Sequence, residues 1–451
     1  MIGRYLCCVL LIASTVCGVP VTSYSQVAAA LPELTFKRLM NDLQIIVAET
    51  PDFEDDLTVG LVVRYGSAFD LSGKGGTAYL LSLLFLRGTL DKSAKDIQDE
   101  LANLGASLEI QVGWDGYRFL LHGQSSKFER LLLLLQQIVT EAQFTDDDFA
   151  AAKKELLQQL QKPEDPRQEI RAVLESELFR GTTYGRRLKG STQSVQSIHI
   201  GDVRLFYRKY FTPNAAALVI AGNCQGAVVL PKATRIWGVW VRGDETPYSF
   251  LPPIKPASRN IMLQDDPASP AAQFIMGNLW PQRDDPSYYP AMLAARVLQA
   301  RLNKALPTSL ITVRAEGRRL LGPFYLQGQS AASEARGEIQ KILDVVEIMQ
   351  TSAITAQELA DAGQAWMDEF NGTLRSTGGV CNTLLDAELY RLGTNYATSF
   401  PEMIRRYDLE AVGQAAKDWI FPGGVIIIVR GPVAILKPSL EPLAMTQQVT
   451  P

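Results

Sequence analysis

Histidine is nearly absent: the 451 residues carry only His122 and His199. A catalytic metal centre with about three protein donors, imidazole foremost, therefore has little to draw on. Cysteine is scarce as well. Of five, Cys7, Cys8 and Cys17 sit near the N-terminus, which leaves Cys224 and Cys381 as isolated thiols. Two such residues make neither a disulfide framework nor a metal site, and read better as small buried side chains. No sign of charge dominates, since 44 Lys and Arg stand against 48 Asp and Glu. The net charge of −4, with no basic stripe among aromatics, argues against a nucleic-acid partner. Past the N-terminus no apolar run reaches the roughly twenty residues of a membrane span. What is plentiful is ordinary core material: 47% hydrophobic and 20% charged residues, enough for more than one globular domain.

The chain opens with Met1 to Arg4, an apolar run from Tyr5 to Cys17, and small residues through Ala30. That order of short head, apolar stretch and small-residue exit predicts a secretory signal peptide over 1–30, hence a periplasmic or secreted protein.

From Leu34 onward, alternating apolar residues predict strands around the Asn41-Asp42 turn, a third strand from Leu57, and a hairpin from Ser107 to His122. Helices are expected after the capping residues Ser93 and Thr145, and over 128–141, 172–179 and 200–210. The plan then repeats. Gly123-Gln124-Ser125 is matched by Gly328-Gln329-Ser330, Phe144-Thr145 by Ile354-Thr355, and Phe211 to Gly222 by Phe421 to Gly431, at offsets of 205, 210 and 209 to 210. Two homologous halves follow, 31–225 and 259–435. The proline-rich stretch 226–258 reads as a linker whose Trp237 and Trp240 pack back on a domain, and 436–451 as a tail.

One stretch carries chemistry, or its loss: Gly76-Thr-Ala-Tyr79-Leu-Leu-Ser82-Leu83-Leu-Phe-Leu-Arg-Gly88-Thr89. It predicts a helix opened by Gly76 and closed at Gly88, on which Tyr79, Ser82 and Leu83 share a face. Its frame resembles the motif helix of the pitrilysin/insulinase peptidases, inverted zincins with G-x-A-H-x-x-E-H and a closing G-T. Gly76, Ala78, Gly88 and Thr89 fit that frame. Tyr79 stands at the first histidine, Ser82 at the base glutamate and Leu83 at the second histidine. Leucine has no donor atom, a neutral phenol replaces imidazole poorly, and a serine hydroxyl does not take a proton from a metal-bound water as glutamate does.

The resemblance spans roughly Leu34 to Pro432 and implies an α+β fold of two halves, each a mostly antiparallel sheet covered by helices, arranged as a clamshell. It implies a third zinc ligand on a later helix, where Glu155 lies 76 residues beyond Tyr79; a plain helix charge beside Lys153 and Lys154 is the alternative. With the motif substituted, zinc is not expected and the chain is expected not to be an enzyme. Members of the family work in pairs, so the expected partner is an active zinc peptidase subunit or a second copy of this chain, with peptide as ligand. Arg318 and Tyr325 match the spacing of the family's substrate-contacting pair, against a turn and strand role. A stand-alone peptide-binding scaffold, and an enzyme using Ser82 or Tyr79 as nucleophile, are the rival readings.

Overall fold

The computed structural model describes residues 32–449; the expected leader over 1–30 lies outside them. The first half builds a sheet from β1 (Glu33–Arg38), β2 (Gln44–Glu49), β3 (Asp56–Val63), β4 (Ser107–Val112), β5 (Tyr117–Gln124) and β6 (Ala216–Gly222). Their spatial order is β1-β2-β6-β3-β5-β4, antiparallel except for the β2–β6 pair. The second half uses β7 (Arg259–Asp265), β8 (Ala271–Trp280), β9 (Thr312–Ala315), β10 (Gly322–Ala331), β11 (Val425–Gly431) and β12 (Thr446–Val449), in the order β12-β7-β11-β8-β10-β9. Five strands of each sheet correspond one to one, β2-β6-β3-β5-β4 with β7-β11-β8-β10-β9. The sixth comes from opposite ends of the chain. The repeated Gly-Gln-Ser pieces lie at the ends of β5 and β10, at the same place in the two sheets.

Helices packed on the strands make this a two-sheet α+β fold, and the halves exchange one helix each. The helix Thr377–Leu389 of the second half lies on β3 and β6, and the helix Pro166–Leu178 of the first half lies on β8 and β11. The approach is close at equivalent places. A Cβ on Gly60 of β3 would fall 2.3 Å from Cys381 Sγ, and one on Gly277 of β8 would fall 2.6 Å from Leu174 Cδ2. Both faces of the central strands are therefore buried. Val59 and Leu61 face one core and Val62 the other; Phe274 and Met276 split likewise from Ile275. Covering both faces is why these strands read as continuous apolar runs rather than as alternating ones.

Two expectations need correction. The stretch 226–258 is not wholly linker: Gly226–Trp237 is a helix, and only the remainder lacks regular structure. Pro231 interrupts one backbone hydrogen bond, but Gly226, Val229, Ala233 and Trp237 recur at helical spacing and are buried. Trp237 is fully buried, and Asn41 Nδ2 donates to the carbonyls of Trp237 and Trp240 at 2.9 Å each. Nor is 436–451 a loose tail. The helix Val433–Leu440 buries Leu436 and Leu440, and β12 extends the second sheet alongside β7.

Candidate functional site

The motif helix is shorter than expected, Thr77–Leu84, with a tight turn carrying the chain on to Gly88. It begins at Gly76 with φ 95°, where a Cβ would sit 2.5 Å from Lys189 O. Only glycine suits that place. Gly76 has no side chain to cap the helix, so the cap comes from the preceding loop. Asp70 Oδ2 accepts from Gly76 N at 2.8 Å, and Oδ1 accepts from Ala78 N at 2.9 Å. Burial pushes this carboxyl up to about 7, against the opposing pull of the Ala78, Gly76 and Thr77 N–H groups and Arg186. The Tyr117 hydroxyl donates to Ala78 O at 2.5 Å and pins the first turn to β5. Ala78, Leu80, Leu81 and Leu84 fill the core beneath.

The outward face carries Tyr79, Ser82 and Leu83, all half-buried, as the spacing predicts. Ser82 Oγ donates to Tyr79 O at 2.6 Å, so its hydroxyl is used within the helix. Lys189 Nζ stands 5.4 Å from the centre of the Tyr79 ring. Glu155 lies on the neighbouring helix Asp146–Gln161, which packs against the motif helix. Its Oε2 accepts from Arg87 Nη2 at 2.8 Å and its Oε1 from Gln159 Nε2 at 3.3 Å. Neither histidine joins them. His122 Nδ1 bonds Thr58 Oγ1 at 2.8 Å within the sheet, and His199 is the N-cap of Ile200–Tyr210. Among the described residues no group of three or more His, Cys, Asp or Glu side chains is placed to hold a metal.

Two features flank this face. Strand β4, packed against the motif helix, is an edge of the first sheet, with Leu108, Ile110 and Val112 turned inward and Ser107, Glu109 and Gln111 exposed. A cavity of about 290 Å³ reaches Lys189, Arg187, Arg171, Tyr184 and Trp114.

Arg318 and Tyr325 are placed elsewhere, in the junction between the halves. Arg318 is only 4% exposed; its Nη2 stands 2.8 Å from Glu175 Oε2 and 3.0 Å from Glu316 Oε2. Its guanidinium lies 4.0 Å from the Trp114 ring. Tyr325, in β10, is covered by Arg171 at 5.2 Å, and Arg171 in turn bonds Glu175 and Glu316. Burial lifts the Glu175 carboxyl, but Arg318 and Arg171 overcome it and hold it below its usual value. Asp115 completes the seam, accepting from the Tyr184 hydroxyl and from Arg319 N. Sequence reasoning missed Asp70, Asp115 and Glu175. Asp115 and Glu175 act across long separations in the chain, and Asp70 acts from six and eight residues before its partners, outside the N-cap position that sequence patterns mark.

Two matching six-stranded sheets and a glycine-framed helix on the first define a metallopeptidase-like fold. Residues 45–192 match the insulinase peptidase family, M16, and residues 197–365 match the peptidase M16 inactive domain. The chain belongs to the M16 family. It is 21% identical over 213 residues to an uncharacterized zinc protease of Rickettsia bellii, covering 47% of this chain and 52% of that one. It is 24% identical over 243 residues to the bovine mitochondrial-processing peptidase subunit beta, covering 54% and 49%. The chain thus matches about half the length of these curated relatives. In fold it is similar to a peptidase M16 inactive domain from Pseudomonas fluorescens, with TM-score 0.80, 18% identity, and 89% and 98% of the two chains covered. The periplasmic protease PqqL of Escherichia coli is also similar, with TM-score 0.74, 15% identity, and 96% of this chain and 49% of that one covered.

Proposed function

We propose that this chain is a non-catalytic member of its family that binds or encloses peptide beside an active zinc peptidase subunit. The observation that carries the reading is the motif face itself. Its three functional positions hold a phenol, a hydroxyl already bonded to the backbone, and a hydrocarbon. Glu155, the remaining carboxylate, is engaged by Arg87. This donor set does not fit a catalytic zinc, which needs about three good ligands and an open water position. It also lacks a base to activate water.

Peptide binding needs none of these groups. An extended segment adds to an exposed sheet edge through main-chain hydrogen bonds, with side-chain pockets giving selectivity. β4 offers such an edge beside the motif helix, and the cavity at Lys189 and Tyr184 offers a neighbouring pocket. Support for pairing comes from the relatives described as subunits, the mitochondrial-processing peptidase subunit beta and the cytochrome b-c1 complex subunit 1. The leader-like N-terminus and the similarity to a periplasmic protease support an exported location. No described helix is long and apolar enough to cross a membrane.

The test is purification of the chain from its native source under mild conditions, with zinc and peptidase activity followed through the same fractions. A stoichiometric partner carrying an intact H-x-x-E-H helix, together with zinc and activity that travel with it, is the expected result. A lone, inactive chain that still binds peptide would replace the subunit reading with that of a free-standing scaffold. Stoichiometric zinc on the isolated chain would overturn both.

A further inference from the structure

A different cavity, of about 370 Å³, lies where helices of the second half meet β5 of the first. Three guanidiniums reach it. Arg118 comes from β5, Arg296 from the helix Tyr288–Ala305, and Arg283 from the loop before that helix. Only two carboxylates accompany them. Asp386 is shared, its Oδ1 2.6 Å from Arg118 Nη2 and its Oδ2 3.6 Å from Arg283 Nε, while Glu369 pairs with Arg296. The lining is therefore left one positive charge in excess. The Nε groups of Arg118 and Arg296 are moreover buried without a hydrogen-bond acceptor. Buried donors of this kind favour an acceptor that the chain itself does not supply.

The remaining walls combine aromatic rings with Met292, Thr373, Asn382 and Thr383. Trp366, Phe370 and Phe400 are each at least nine-tenths buried, and Arg283 lies 4.4 Å from the Tyr288 ring and 5.1 Å from the Tyr396 ring. On the open side stand Asp386 and the largely exposed Glu369, which leaves the cavity a mouth. Its volume is at the small end of the range for ligand pockets, about 300–1,000 Å³.

We propose that this cavity binds a small organic anion, a carboxylate carried on an aromatic body. The planar fork of a guanidinium matches a carboxylate edge to edge, so Arg118 and Arg296 take the charged end, while Arg283 is held by Asp386 and the Tyr289 and Tyr396 hydroxyls and adds its positive charge. Trp366 and Phe370 take the ring. The site is separate from the motif helix and does not depend on the pairing proposed above.

Isothermal titration of the full chain with N-acetylphenylalanine tests the assignment, run beside N-acetylphenylalaninamide, which keeps the ring and loses the carboxylate. The acid is expected to bind at least about tenfold more tightly than the amide, a ratio typical of losing a charge-assisted hydrogen-bonded pair. Arg296→Gln should weaken the acid by a similar factor, and Thr383→Trp, which fills the space, should abolish binding with the circular dichroism spectrum unchanged. Equal affinity for acid and amide, or no heat from either at millimolar concentration, would overturn the proposal. Both results come from the unaltered protein and do not depend on a variant folding. Undiminished binding by a folded Thr383→Trp protein would equally remove the ligand from this cavity.

Discussion

Arg318 of the second half and Glu175 of the first meet at 2.8 Å with side chains 4% and 8% exposed, a sealed ion pair across the junction of the two sheets. Glu316 and Arg171 extend it into a four-membered network, and Trp114 lies under the guanidinium. Its position makes it a tie between the halves.

Removing one partner of such a pair leaves an uncompensated buried charge. Glu175→Ala should cost about 3–5 kcal/mol of unfolding free energy in urea, since Arg318 then keeps only Glu316. The double change Glu175→Leu with Arg318→Met should recover much of that loss. A single-variant loss below about 1 kcal/mol would mean that the pair is effectively solvated. The sign with pH follows from the lowered Glu175 pKa. Its contribution is present above the unfolded value of 4.5 and is lost as pH falls through the folded one.

Asp70 shifts in the opposite sense. Its folded pKa of about 7 exceeds the ordinary 3.8, so its contribution is full below 3.8 and is lost as pH rises towards and through 7. Asp70→Asn should flatten this part of the stability profile, measured by thermal unfolding between those values. Asp70→Ala, which removes the cap from Gly76 and Ala78, should cost about 1–2 kcal/mol at the low-pH end of this range, and less as pH rises. An unchanged pH profile in Asp70→Asn would assign the slope to another group.

The exchanged helix leaves no room at Gly60. Gly60→Ala should destabilise by about 1–3 kcal/mol, because its Cβ meets Cys381 Sγ at 2.3 Å and Leu385 Cδ1 at 2.7 Å. Adding Cys381→Ala removes the nearer of these atoms and should restore part of the loss. Additive losses in the double variant, compared by urea midpoints, would mean that the two positions do not touch.

Restoring the motif tests the lost chemistry directly. Tyr79→His, Ser82→Glu and Leu83→His together rebuild the donor positions, with Glu155 close by on the next helix. The triple variant should bind zinc stoichiometrically by atomic absorption after dialysis, and the parent should not. Adding Glu155→Ala should weaken that binding by at least about tenfold. Zinc held equally by the parent would show that its ligands lie outside the motif helix.

Much of this protein follows from short-range pattern. The capping residues Ser93 and Thr145, the 107–122 hairpin and the duplicated order of elements lie within single helices or neighbouring strands, where periodicity and turn chemistry act. The three substitutions at Tyr79, Ser82 and Leu83 are likewise a matter of residue type at fixed helical spacing. Pro231 misled because one lost hydrogen bond weighs less than a buried face of four residues. Tertiary structure alone decided the rest. That Arg87 occupies Glu155 and that Arg318 is sealed against Glu175 and Trp114 depend on side chains far apart in the chain meeting in space. Their physical reason is burial: each charge takes the partner that the packed halves bring to it, and a one-dimensional pattern carries no record of that meeting.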